Sequence, residues 1–196
     1  MNAKIELTGN DILDIDSYIQ IRSERRVEIL EKKKLRRVAV GPYATFYFES
    51  YETMWYQVQE MLRIEKGGAA QLKDELEAYN PLIPKGHELV ATLMFEIDNT
   101  NIRTALLSGL GGVENHIIMQ LDDEPIMAIA EQDLDRTNAD GKASSVQFVH
   151  FNLTNPQIVK FKYINTNITV GINHPRYGHL AVLSDETKSE LSSDFF

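Results

Sequence analysis

The chain has 196 residues, 43% of them hydrophobic and 25% charged, and a net charge of −9. A chain of this length buries roughly 70% of its unfolded surface, so one self-sufficient core is expected, and disorder, collagen and coiled-coil rods are excluded. With no cysteine, disulfides, thiolate nucleophiles, cysteine-ligated zinc and iron–sulfur clusters are excluded as well.

Thr8 and Asp11 have the spacing of a helix start. Ile12, Ile15, Ile19, Val27 and Leu30 then recur at helical spacing and predict one buried face. Ser23 sits in the gap and offers a second cap, which would break the helix there. Val38–Val40, the turn at Gly41-Pro42, and Thr45–Glu49 read as strand, turn, strand. Residues 52–66 read as a helix ended by Gly67-Gly68, with another over 69–79. Asn80-Pro81-Leu82-Ile83-Pro84 reads as a stiff extended connector, because each proline disfavours the α region in its predecessor. From residue 88 the order is strand, helix, strand, strand, strand, helix, strand, then a closing strand and helix.

The expected class is α+β. It has a mixed or antiparallel sheet, with a ferredoxin-like split βαβ pattern in the C-terminal half, and helices and one hairpin added N-terminally. One domain over 1–196 is expected, with a sub-division into a helical and hairpin part (1–80) and a sheet part (88–196).

Charge is unevenly placed. Between Arg22 and Arg37 eight basic residues face three acidic ones, a local +5 that leaves −14 for the rest. The acidic remainder argues against nucleic acid and anionic membranes as partners. RNA binding through Lys32–Arg37 and the aromatics at 43–48 is a weaker alternative. The N-terminus has no apolar signal core and no apolar run reaches about eighteen residues, so a cytoplasmic address is expected.

Most motifs fail their own chemistry. Ser108–Glu114 is glycine-rich but lacks the third glycine of a dinucleotide loop and the Lys-Ser/Thr of a phosphate loop. Asp133–Gly141 imitates a calcium loop, yet Arg136 and Gln147 fall where acidic ligands are required. His174 and His179 are five apart with Pro175 between them, so they are not a helical metal pair, although a loop could bring both to one ion. His150 lies on an apolar strand and reads as a satisfied core histidine. Glu49, Glu60 and Glu96 stand out because each lies among apolar residues, where a carboxylate must be paired or neutral. Arg37, Arg63 and Arg136 are available partners; the functional alternative is a polar pocket for a small anion or a divalent metal.

The strings LTGNDIL, KKKLRRVAVGPYATFYFES, YQVQEMLR, AYNPLIP, EQDLDRTN and GINHPRYGH, in this order, resemble the bacterial family known as domain of unknown function 3501. The resemblance runs from Leu7 to the last helix. It implies an accessory role beside a redox or peroxide-defence system, with a rubrerythrin-like or iron–sulfur protein as partner. It transfers no functional residues. Matching positions include Arg37, Glu49, Gln59, Glu60, Arg136, His174 and Tyr177, which form the candidate ligand pocket, and no cofactor is expected. The leading expectation is a non-catalytic cytosolic accessory or binding protein. The alternative is a metal- or anion-binding enzyme in which those seven side chains converge.

Overall fold

The computed structural model describes residues 4–131, Thr137 and 141–196. Arg136 and most of the acidic turn tested as a calcium loop lie outside the described residues. The elements in chain order are α1 (Ile15–Leu35), β1 (Arg37–Val40), β2 (Ala44–Phe48), α2 (Tyr51–Glu65) and α3 (Gly68–Tyr79). Then come β3 (Glu88–Phe95), α4 (Thr100–Leu107), β4 (Ile117–Leu121), β5 (Glu124–Met127), β6 (Ile129–Ala130) and β7 (Val146–Asn152). The chain closes with α5 (Asn155–Lys162), β8 (Ile168–His174), β9 (Tyr177–Val182) and α6 (Asp185–Leu191).

The class is α+β. The strands form two sheets, ordered β1-β2-β3-β7-β6 and β5-β4-β8-β9. Every ladder between them is antiparallel, whereas a split βαβ unit needs a parallel pair. The ferredoxin-like detail is therefore replaced by a two-sheet arrangement. After α4 the chain turns through Gly112, at φ 80°, and enters the second sheet as β4 instead of returning beside β3. The 80/88 junction does not divide the sheet, since β2 pairs with β3 across it from Ala44↔Phe95 to Phe48↔Ala91.

The two sheets curl around one core. On one side β5 and β6 are a single run that leaves one sheet for the other at Ala128, whose N–H donates to the Ile117 carbonyl at 3.0 Å. On the other side β1 lies against β9 without a ladder. Tyr177 joins that seam. Its hydroxyl donates to the Val40 carbonyl at 2.8 Å and accepts from the Tyr43 and Ala44 amides at 2.9 and 3.0 Å. Gly41 turns the hairpin at φ 66°, and a Cβ there would sit 2.6 Å from the His179 ring. Phe46, Phe48, Leu89, Leu93, Phe151, Val170 and Ile172 fill the space between the sheets.

A second, smaller core lies on the outer face of the first sheet. Val90 meets Met54 and Val58 of α2, Leu82 and Ile83 after α3, and Leu7. Pro81 is accommodated in a 3-10 turn over Asn80–Leu82, not in an extended connector. Asn80 keeps helical angles, φ −61° and ψ −35°. Its side chain repays that placement by pairing with the Leu7 backbone in both directions, at 2.7 and 2.9 Å.

The first helix differs most from the expectation. It starts later, capped by Asp14, which accepts from the Ser17 amide at 2.9 Å, and it runs unbroken through Ser23. Thr8 and Asp11 cap only a 3-10 turn. The apolar set splits: Ile12 and Ile15 are partly buried, Ile12 against the second core, whereas Ile19, Val27 and Leu30 face solvent at 54%, 61% and 50% exposed. The helix packs through Tyr18 and Ile29, and through Arg22 and Tyr18 bonded to Glu60.

Candidate functional site

The basic cluster of α1 is largely consumed by local ion pairs. Arg22 pairs with Glu60, Arg25 with Glu28, Lys32 with Glu52 and Glu190, and Lys34 with Glu31. Arg37 pairs with Glu96 at 3.5 Å and stacks 5.1 Å from the Tyr47 ring. Arg36 is buried, donating to the Phe48 carbonyl at 3.0 Å, the Glu49 carbonyl at 2.7 Å, Glu190 at 3.0 Å, and Asp194.

The candidate residues occupy separate places. Glu60 is held by Tyr18 at 2.7 Å, Arg22 at 2.7 Å and Arg63 at 3.1 Å. The Arg22 hydrogen bond, followed by those from Arg63 and Tyr18, outweighs partial burial and holds its carboxyl down at about 2. Glu96, read as lying in an apolar strand, falls just after β3, is half exposed, and accepts from the Tyr47 hydroxyl at 2.7 Å. His174 accepts from the Arg176 amide at 3.2 Å and meets the His116 ring edge-on at 5.0 Å. Burial, then the neighbouring His116, pushes its pKa down. His179 packs instead on the Tyr177 ring at 4.6 Å. Gln59 is buried, and its side-chain nitrogen has no hydrogen-bond partner among the described residues. Among the described residues no group of three or more His, Asp or Glu is arranged to hold a metal ion.

Glu49 is the candidate that reaches a cavity. It directly follows β2 and precedes Ser50, the N-cap of α2, whose Oγ accepts from the Thr53 amide at 3.3 Å. That capping geometry turns Thr53 Oγ1 toward Glu49, where it donates to Oε2 at 2.7 Å. From the adjoining strand Thr92 Oγ1 donates to Oε1 at 2.8 Å. The backbone is fixed from both sides, with the Glu49 amide on the Val90 carbonyl at 2.8 Å and its carbonyl on Arg36. Glu49 is 8% exposed, and its carboxylate is in no ion pair among the described residues. Proximity to the first turn of a fifteen-residue helix offsets part of its burial.

The cavity has a volume of about 390 Å³. Its floor is the outer face of the first sheet: the cross-strand row Tyr47–Thr92–Phe148, then Met94 and Val146. Met54 and Gln57 of α2, Tyr79 at the end of α3 and Leu82 beyond it wall it, and Lys33 and Arg36 stand at the α1 side. Burial, with added repulsion from Glu75, Glu65 and Glu49, raises the Tyr79 hydroxyl pKa. An apolar, aromatic concavity with few polar groups has the make-up of a small-molecule site. A larger groove between α1, α2 and the N-terminal segment, about 490 Å³, is lined by charges that already pair: Lys4–Asp11, Arg25–Glu28 and Lys32–Glu52.

Sequence reasoning missed Tyr79, Thr92 and Phe148, and met Tyr47 only among the aromatics that could stack bases. Thr92 was the available signal, a lone hydroxyl inside the apolar run 89–97.

The family model described as "Protein of unknown function (DUF3501)" matches residues 6–195. The chain belongs to the DUF3501 family. It is also similar to a crystallographically solved novel protein of unknown function from Burkholderia pseudomallei K96243. The identity is 34% and the TM-score 0.88, over 97% of this chain and 99% of that one. No curated protein matches the sequence. Among the described residues, no helix of this family member is long and apolar enough to cross a membrane.

Proposed function

We propose that this DUF3501 protein is a non-catalytic binding protein that holds a small organic ligand between its helices and the outer face of the first sheet. The observation that supports this reading is Glu49. A buried carboxylate whose partners among the described residues are two neutral hydroxyls, beside a cavity of about 390 Å³, is a polar group with bonding capacity left over, as expected of a pocket that orients a ligand. The enzyme alternative needed Glu49, Glu60, His174 and Tyr177 in one place, and each of these has its own separate partners.

A thermal-shift series tests the reading. Binding to the folded state alone raises stability by RT ln(1 + [L]/Kd), about 2.7 kcal/mol at a hundredfold excess over Kd. Val146→Phe, which fills the floor, should abolish any shift that the parent protein shows; an unchanged shift would place the ligand elsewhere. The redox-protein partner implied by the family resemblance, and the cytoplasmic address, belong to the same proposal. Co-purification from native lysate with a rubrerythrin-like or iron–sulfur protein is its test, and no enrichment over a control bait removes it.

A further inference from the structure

We propose that the cavity ligand is a small organic cation, an ammonium group carrying an apolar or aromatic body, with Glu49 as its counter-charge. The inference deepens the reading of the cavity as a binding site and rests on it.

The argument begins with what Glu49 lacks. Each oxygen accepts one hydroxyl, from Thr53 and from Thr92, and a carboxylate offers about four acceptor positions in all. Both donors are neutral, and among the described residues no basic side chain pairs with the carboxylate; the positive groups beside it are the α2 N-terminus and Arg36, which donates to the Glu49 carbonyl instead. Removing a charge from water without a counter-ion is costly. A cationic ligand removes that cost on binding and gains a charge-assisted hydrogen bond.

The surrounding side chains suit the same chemistry. Tyr47, Tyr79 and Phe148 line the space, and aromatic faces attract ammonium groups. One face of Tyr47 already carries a cation, since the Arg37 guanidinium lies 5.1 Å from its ring centre. Met54 and Met94 add soft, adaptable apolar surface for the body of the ligand. At ~30 Å³ per water, the volume equals roughly a dozen waters, which is room for a single ring with a short amine side chain.

Two basic residues share the cavity and do not reverse its preference. Arg36 is spent on Asp194, Glu190 and two backbone carbonyls. Lys33 is partly exposed on the last turn of α1, where solvent screens it.

Three probes of nearly one shape separate the charge states: phenethylammonium, 2-phenylethanol and phenylacetate. Binding to the full-length protein is read by calorimetry and by thermal shift, with Glu49→Gln and Val146→Phe beside the parent. The expected result is preference for phenethylammonium, weakened about tenfold to hundredfold by Glu49→Gln, the range of a charged hydrogen bond. Val146→Phe should abolish binding, and circular dichroism confirms that both variants are folded. Preference for 2-phenylethanol or phenylacetate, or indifference to Glu49→Gln, overturns the cation proposal and leaves the cavity reading standing. Failure of all three probes to bind overturns both. Should Glu49→Gln not fold, Thr92→Val, which removes one hydroxyl from the carboxylate, takes its place. It should alter phenethylammonium affinity and leave 2-phenylethanol affinity within twofold; equal effects on the two overturn the proposal.

Discussion

Replacing Arg36 by methionine tests how the helical layer is tied to the sheet. The substitution keeps the apolar stem and removes every donor. Arg36 is 1% exposed and bridges three parts of the fold: the end of α1, the β2 exit at Phe48 and Glu49, and the C-terminal segment at Glu190 and Asp194. Its loss leaves Asp194, 8% exposed, without its buried counter-charge, and takes the side-chain donor from two carbonyls. Removing one partner of a buried pair costs about 3–5 kcal/mol. For a domain of this size each kcal/mol lowers Tm by about 2–4 °C, so a drop of about 6–20 °C is expected. Urea denaturation followed by circular dichroism gives the free energy directly. Adding Asp194→Asn to Arg36→Met should recover about 0.5–3 kcal/mol, because the orphaned charge is gone. A single variant within about 1 kcal/mol of the parent would refute the reasoning, since it would make the guanidinium a spectator.

Other contacts give further expectations. His150 places both ring nitrogens on carboxylates, Glu88 and Glu131, each at 2.8 Å. Burial alone would lower its pKa, but the two carboxylates more than reverse this and raise it. A raised pKa in the folded state means the contribution is complete below the unfolded value near 6.5 and fades as pH climbs through the folded value. Chemical denaturation from pH 5.5 to 9 should show that loss, and His150→Gln should flatten it; an identical profile in the variant would dismiss the clamp. Glu60→Gln should cost about 1–2 kcal/mol at pH 7. The deficit should shrink as acid passes from 4.5 toward 2, where the parent's carboxylate also protonates; a deficit that grows in acid would contradict this. Tyr177→Phe should cost about 1–3 kcal/mol and speed hydrogen exchange at the Tyr43 and Ala44 amides, and unchanged exchange there would deny the hydroxyl its part in the seam.

Local pattern reveals much of the sheet and little of what tethers the helices to it. The alternation of Leu89, Ala91, Leu93 and Phe95 places those residues inward in the structure, because a strand's period of two has only one way to bury them. On α1 the same logic misleads. Ile19, Val27 and Leu30 lie on one helical face, but Tyr18, Arg22 and Ile29 lie on another. The choice is made by Glu60, which takes Tyr18 and Arg22 together from 42 and 38 residues away, and no window along the helix contains that carboxylate. Arg36 is hidden for a similar reason. Within Lys32–Arg37 nothing local separates it from its neighbours; only its partners 154 and 158 residues on do so. Glu49 was legible because a carboxylate closing an aromatic strand is an anomaly in any context. The rest of its cavity comes from register: Tyr47, Thr92 and Phe148 meet only because β2, β3 and β7 pair as they do.

Arg36 and Glu49 are both buried and charged, yet their bonding predicts opposite behaviour. Arg36 is matched by two carboxylates and two carbonyls, so the fold uses the whole of its donor set. Glu49 has two hydroxyls. A glutamine in its place accepts from one threonine and donates to the other, since a hydroxyl serves in either role. What Glu49→Gln loses is the favourable interaction with the α2 N-terminus, about 0.3–1 kcal/mol. What it gains is relief from burying a charge that has no ion-pair partner among the described residues, a penalty of at least comparable size. The variant should therefore fall between neutral and about 2 kcal/mol more stable than the parent, measured by urea denaturation at pH 7. That gain would mark the carboxylate as held at a cost to the fold, the stability–function trade expected of a pocket. A loss above about 1 kcal/mol in Glu49→Gln would instead make the carboxylate part of the scaffold, and the case for a charged ligand would lose its physical basis.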